Sequence, residues 1–198
     1  MTRLGPPDLT LRGTHATLVP LTQDHGRALA SEVETGGLDG LWYTFVPSPD
    51  GMAAEIDRRL ALRDQGAMIP FTILDSTQTP VGMTTYMHID PATPRVEIGS
   101  TWIAPRAQRS PLNTEAKRLM LAHAFEVWSC LAVEFRTHRL NRQSRRAIER
   151  LGAQLDGILR AHLKMPNGTI RDTAVYSITA ADWPATRAHL DALLALPQ

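Results

Sequence analysis

The chain has 198 residues, 43% of them hydrophobic, a length that suits one domain with a sizeable core. The opening residues "MTRLGPP" lack a secretory apolar stretch and no run approaches a bilayer span. A single cysteine, Cys130, excludes an internal disulfide and a Cys-based metal cluster, so a cytoplasmic protein with a buried, inert thiol is expected. Net charge is only +1, yet between Arg106 and Arg150 ten Lys/Arg face four Asp/Glu, a local +6 that leaves −5 for the rest. Such asymmetry suits a phosphate-bearing cofactor or nucleic acid, or else a solvated arginine-rich face.

Residues 1–9 read as an N-terminal arm, and 10–198 as one domain without repeats or linkers. "HATLVPL" (15–21) is a strand candidate. Thr22 can cap a helix to about Glu34, stopped by Gly36-Gly37. "LWYTFVPSP" (41–49) is an aromatic, proline-bearing loop. Asp50 starts a helix with apolar Met52, Ile56 and Leu60, ended by Gly66. "MIPFTIL" (68–74), "VGMTTYMHI" (81–89) and "RVEIGSTWI" (95–103), joined by short polar turns, predict an antiparallel meander.

A helix enters through "APRAQRSPLNTEAKRLMLAHAF" (104–125). Past its first turn it is apolar nearly all round, so it should be buried on most sides, with its polar residues facing water at the N-terminus. That end carries unpaired N–H groups and partial positive charge, and a loop bearing Arg106 and Arg109 leads into it. The arrangement suits an anion such as a pyrophosphate, or is an ordinary capped helix. Strand "AVEFRTH" (132–138) precedes a second helix, "NRQSRRAIERLG" (141–152). Arg142, Arg145 and Arg146 sit early in that helix, where cations oppose its dipole unless an anion is near. A hairpin over 155–165 and 169–178 turns at Asn167-Gly168. Thr179 caps a last helix. The order is β-α-α-β-β-β-α-β-α-β-β-α, an α+β fold.

This order, with "VEIGSTWI", "RAQRSPLNTEAKRLML" and "NRQSRRAIERLGA", resembles the GCN5-related N-acetyltransferase (GNAT) superfamily, in the branch of the ribosomal-protein alanine N-acetyltransferases. The ending "DGILRAHLKMPNGTIRDTAVYSI" is similar to that branch too. The resemblance covers about residues 10–180 and rests on the ensemble of segments. It implies a mixed, mostly antiparallel sheet flanked by helices, and acetyl-CoA as co-substrate. The acetyl group would pass to a primary amine, a protein N-terminus or a small molecule, by direct attack on the thioester. The family's Gln/Arg-x-x-Gly-x-Gly/Ala pattern falls on Gln108, Arg109, Ser110, Pro111, Leu112 and Asn113, and the resemblance implies that the pyrophosphate sits over this loop as far as Thr114. Gln108 matches, whereas Pro111 replaces a glycine and removes one N–H; Ser110 would cap the helix with Pro111 at its first position. The resemblance also assigns Trp102 and Ile103, through their strand, and Asn141, Ser144 and Arg146 to the cofactor.

The chemistry needs a proton acceptor for the amine and an N–H donor for the developing oxyanion. Alternation places Glu97, Gly99 and Thr101 on one strand face. Glu97 is the candidate base or amine anchor, or half of a cross-strand ion pair. The family's usual helix tyrosine aligns with Ile148, which cannot act, so Ser144 is the candidate hydrogen-bond donor to the leaving sulfur. Trp42, Tyr43 and Phe45 form an acceptor wall, a homodimer contact or plain core. Tyr86 is a further acceptor-site candidate, or a packed strand tyrosine. The histidines show no ligand spacing, and no metal is expected. The rival functions are a CoA-binding member without catalysis and a basic nucleic-acid or ribosome-binding module. The latter lacks the interleaved aromatics of a single-strand binder.

Overall fold

The computed structural model describes residues 8–196. Residues 1–7 of the expected arm and the last two residues lie outside it. Eight strands form one sheet in the order β1-β2-β3-β4-β5-β6-β8-β7. They are β1 (Leu11–Arg12), β2 (Thr17–Pro20), β3 (Met68–Leu74), β4 (Pro80–Asp90), β5 (Arg95–Ile103), β6 (Ala132–His138), β7 (Gln154–Lys164) and β8 (Ile170–Thr179). The helices are α1 (Gly26–Gly36), α2 (Met52–Asp64), α3 (Pro111–Ala122), α4 (Arg142–Arg150) and α5 (Trp183–Ala195). The expected α+β order is present, with β1 as a short addition at the edge. A 3-10 turn, Gln23–His25, replaces the expected first turn of the helix at Thr22.

Strand alternation divides the apolar residues of the sheet between its two faces. Phe71, Ile73, Tyr86, Val96, Ile98 and Ile103 pack with Leu112, Ala116 and Met120 of α3 and with Trp183 and Leu190 of α5. On the opposite face Met83 and Trp102 pack with Leu29 and Val33 of α1 and Met52 and Ile56 of α2. β3, β4 and β5 form the expected antiparallel meander. The β7–β8 hairpin turns with Gly168 at φ +82°, a conformation glycine adopts without a Cβ clash.

Two departures from regular pairing shape the middle of the sheet. Thr85 pairs with Gly99 and Met83 with Trp102, so Thr84 alone stands opposite Ser100 and Thr101. This two-against-one arrangement is a β-bulge, and Ser100 takes φ +48° to accommodate it. The extra residue reverses the alternation. Ile98 faces α3 whereas Trp102 faces α1 and α2. The expectation that Thr101 shares a face with Glu97 and Gly99 is therefore corrected: its side chain meets Lys117 of α3.

The second departure is the one parallel pair. β5 and β6 share rungs at Arg95–Ala132, Val96–Val133 and Glu97–Glu134, and there the ladder stops. Both strands continue, β5 to Ile103 and β6 to His138. Beyond Glu97 the sheet is open along this seam.

Helix α3 also corrects an expectation. Of its early polar residues Asn113 is partly exposed, while Thr114, Glu115 and Lys117 do not face water but are buried. Each of these three has been given partners. Glu115 accepts from the backbone nitrogens of Thr14 (3.0 Å), His15 and Ala16 (2.7 Å), fastening the segment between β1 and β2. A Cβ on Gly13 would lie 2.4 Å from the Glu115 carboxyl carbon, so this approach requires glycine. Thr114 Oγ1 accepts from Arg150 of α4 (3.1 Å).

Candidate active site

The open seam runs toward the starts of α3 and α4, because each helix comes directly after one of the two parting strands. Ser110 caps α3, accepting from Leu112 N at 3.4 Å, with Pro111 in the first turn. Asn141 caps α4, accepting from Ser144 N at 3.0 Å. Gln108 joins the two starts: Nε2 donates to Ile103 O (2.8 Å) and Oε1 accepts from Gln143 of α4 (3.0 Å). Two helix N-termini thus open side by side, both with backbone N–H groups that favour anions.

The basic residues sort by partner. Arg106 pairs with Glu32 (2.6 Å) and Asp75 (3.2 Å), so it is not turned to the α3 start as expected. Arg118, Arg136 and Arg139 each pair with a carboxylate. Arg145 donates to Tyr176 Oη at 2.7 Å and lies 3.9 Å from Glu149. Among the described residues, Arg109, Arg142 and Arg146 form no ion pair and are exposed. Those three flank the helix starts. Of the other expected cofactor residues, Leu112 is in the core, while Asn113 is partly exposed. The indole of Trp102 is buried against α1 and α2, its Nε1 without a hydrogen-bond partner among the described residues, and Ile103 is buried as well. Neither presents its side chain to the seam. Ser144 is partly exposed in the first turn of α4.

Glu97 stands at the last rung before the seam opens and is buried. His88 Nδ1 lies 2.8 Å from Glu97 Oε2, and Arg136 Nε 3.4 Å from the same oxygen. His88 occupies a second bulge, at φ +48°. Burial pushes the Glu97 carboxyl above its ordinary range, a shift that His88 and Arg136 reduce but do not cancel. A Cβ on Gly99 would lie 2.7 Å from Glu97 Oε1 and 3.0 Å from Met87 Sδ. Glycine there lets the carboxylate lie over the strand next to the bulge. The cross-strand ion pair is thus real, and it belongs to a buried carboxyl at the head of the seam.

On the α1–α2 side, Trp42 and Phe45 are about half exposed and line a groove of about 590 Å³ with Asp39, Glu55, Arg58 and Asn167. Tyr43 stands behind, its ring 5.5 Å from that of Trp42. Trp42 also packs edge-on against His138 at the end of β6 (5.3 Å). Glu55 connects groove to bulge. It accepts from Arg59 Nε (2.7 Å), and Arg59 Nη1 donates to Thr85 Oγ1 (3.0 Å) and Ser100 O (3.4 Å). Tyr86 is a correction. It is fully buried on the α3 face and its hydroxyl donates to Met120 O (2.6 Å), so it cannot touch an acceptor. Tyr176 is likewise packed.

Reading the sequence did not single out His88, Arg59 or Lys117. For two of them the pattern held a signal. Arg59 is seven residues after Met52 and three after Ile56, and Lys117 three before Met120, so both cations lie on apolar helix faces.

The model of the acetyltransferase (GNAT) domain family matches residues 15–154. A GCN5-related N-acetyltransferase from Brucella melitensis is 31% identical, covering 96% of this chain and 87% of its own, with a TM-score of 0.86. Two more distant structures share the fold. Mycobacterium smegmatis RimJ in complex with CoA-disulfide is 21% identical over 94% of this chain and 95% of its own, with a TM-score of 0.79. A ribosomal-protein-S5-alanine acetyltransferase from Vibrio fischeri is 15% identical over 89% and 99%, with a TM-score of 0.70. A comparison with curated proteins gives no match. The fold and the family match define an acetyltransferase-type domain, of a family that uses acetyl-CoA. The chain belongs to the GCN5-related N-acetyltransferase family.

Proposed function

We propose that this protein moves an acetyl group from acetyl-CoA to a primary amine, at a protein N-terminus or on a small molecule. The observation that carries the reading is the seam itself. A parallel pair parts beyond Glu97 and leads to two adjacent helix starts, flanked by Arg109, Arg142 and Arg146. Acetyl-CoA supplies an activated thioester and a diphosphate. Backbone N–H groups of the α3 and α4 starts would hold the diphosphate, with Arg109 and Arg146 beside it. Pro111 withdraws one N–H from that cradle and Leu112 N already donates to Ser110 Oγ, leaving Asn113 and Thr114 to supply the rest. The edge of β5 from Gly99 to Ile103, unpaired on the β6 side, would receive the pantetheine arm.

The Glu97 carboxylate accepts the amine's proton, directly or through one water. Its raised pKa brings it closer to that of an amine, which favours the transfer. His88, exposed on its outer side, passes the proton on to solvent. Ser144 Oγ donates a hydrogen bond at the departing sulfur. Trp42 and Phe45 form the acceptor wall, and the branch resemblance points to a peptide N-terminus as its occupant.

One rival loses part of its support. The local +6 that suggested nucleic acid is partly offset by carboxylates from outside residues 106–150: Arg106 pairs with Glu32 and Asp75, Arg118 with Asp191, Arg136 with Glu97 and Arg139 with Asp172. Calorimetry with acetyl-CoA tests the binding half of the proposal, and release of free thiol over a panel of amines and N-terminal peptides tests the transfer. Micromolar binding with thiol release supports it. Binding without release from any amine would leave a CoA-binding protein, and no binding would end the proposal. A Ser144→Ala variant that turns over at the wild-type rate would remove Ser144 from the chemistry.

A further inference from the structure

Two buried basic side chains meet the Ser100 bulge from opposite faces of the sheet, Arg59 paired with Glu55 and Lys117 without a carboxylate partner among the described residues. Arg59 comes from α2, is 2% exposed, and donates to Ser100 O at 3.4 Å. Lys117 comes from α3 and is 5% exposed. Its Nζ lies 2.8 Å from Thr84 Oγ1 and 2.8 Å from Thr101 Oγ1, and among the described residues no carboxylate pairs with it. Thr101 Oγ1 lies 2.8 Å from Thr84 Oγ1 and 3.3 Å from Gly99 O, and with the Thr84 hydroxyl as donor in the first contact its own proton goes to Gly99 O. Burying an ammonium on two hydroxyls is costly for folding alone. A methionine would fill the same space without that cost.

The contacts have a shared consequence. The carbonyl of Ser100 belongs to the peptide whose N–H is that of Thr101. The carbonyl of Gly99 belongs to the peptide whose N–H is that of Ser100. Arg59 reaches the first carbonyl directly, and Lys117 reaches the second through the Thr101 hydroxyl. A carbonyl that accepts from a basic donor draws electron density from its own nitrogen, which makes the attached N–H a stronger donor. Such coupling strengthens a hydrogen bond by roughly 10–30%. Both peptides lie on the stretch of β5 beyond the last rung with β6, opposite a single residue of β4.

We infer that Arg59 and Lys117 are positioning residues that polarise the two bulge peptides, so that the Ser100 and Thr101 amides bind an acyl oxygen held in the seam more strongly. This rests on the acetyl-CoA reading of the seam. Arg59 adds a second connection. Its Nε is held by Glu55, which lines the acceptor groove, so a ligand that disturbs Glu55 would be felt at Ser100.

The test is run at about pH 6, where the buried Lys117 still holds its proton, and uses the full chain, the variants Arg59→Met and Lys117→Met, and acetyl-CoA labelled with 13C at the acetyl carbonyl. Calorimetry gives the affinity, and isotope-edited infrared spectroscopy gives the carbonyl stretch of the bound thioester. The expected wild-type result is a stretch shifted below its value in water. Each variant should bind acetyl-CoA within about twofold of wild type and lose part of that shift, since the amides remain but their polarisation does not. A side chain that served folding alone would leave the frequency of bound ligand unchanged. Variants that bind with the full wild-type shift overturn the inference, as does a wild type that binds with no shift. Failure of the wild type to bind is a different result and removes the acetyl-CoA reading on which the inference stands. If either methionine variant does not fold, Thr101→Val breaks the Lys117 relay and Arg59→Lys weakens the Ser100 contact, with the same expected loss.

Discussion

The two sides of the β5–β6 seam are built differently. Toward α3 and α4 the site is mostly backbone: helix starts, a strand edge without a partner, and a few exposed arginines. Toward α1 and α2 it is side chains: a buried carboxyl, a histidine in a bulge, and an aromatic loop. Backbone serves a constant ligand, because any sequence that folds this way presents the same N–H groups. Side chains serve a variable one, because they change without moving the strands. The contrast assigns different phenotypes to the two sides.

The largest effect should come from Glu97, where the sides meet. Glu97→Gln should lower kcat/KM by about 10² to 10⁴ while leaving acetyl-CoA affinity within twofold. The wild-type profile supplies a second check. Glu97 accepts a proton only when ionised, and burial raises its pKa, so activity should climb with pH through a limb lying above the ordinary carboxylate range. Glu97→Gln should erase that limb. A variant that lost acetyl-CoA affinity instead would place Glu97 on the wrong side of the comparison.

Arg109→Ala and Arg146→Ala should each weaken acetyl-CoA by about tenfold at low salt and less at high salt, with acceptor KM unmoved. Trp42→Ala should raise acceptor KM by about fivefold and leave acetyl-CoA affinity alone. If either arginine variant shifted acceptor KM, or Trp42→Ala shifted acetyl-CoA affinity, the division would blur.

The effect least tied to the two sides is on stability and concerns Lys117, whose burial lowers its pKa to about 7. Between pH 7 and about 10 the unfolded chain holds a proton on this lysine that the folded protein has released. Stability contributed by this residue should therefore rise with pH across that window, and below it the penalty for burying the charge is full. Subtracting the Lys117→Met denaturation curves from those of wild type should isolate the slope. A flat difference would show that Lys117 keeps its charge when buried.

Most of the fold was legible in the sequence, because hydrophobic period and turn chemistry are local. The meander of β3 to β5 and the Asn167-Gly168 hairpin needed nothing further. The α3 start was legible as a Ser-Pro cap for the same reason. What escaped depended on contacts between distant segments. Glu115 is polar in the sequence yet buried, because three backbone N–H groups from residues 14–16 surround it. Arg106 looked like an anion ligand until Glu32 and Asp75 took it. The bulge at Ser100 escaped because an extra residue in one strand shows only against its partner. Without it, Thr101 was assigned to the face of Glu97. Tyr86 read first as a packed strand residue and second as an acceptor contact, and the α3 backbone above it decides for the packed residue.

Hydrogen exchange of the backbone amides, with and without acetyl-CoA, tests most directly whether the seam is the binding site. Added acetyl-CoA should slow exchange across Ser100–Ile103 and Leu112–Thr114 and at the start of α4, and leave 41–48 unchanged. Protection confined to the 41–48 loop, or none at the seam in protein saturated with acetyl-CoA, would contradict the account.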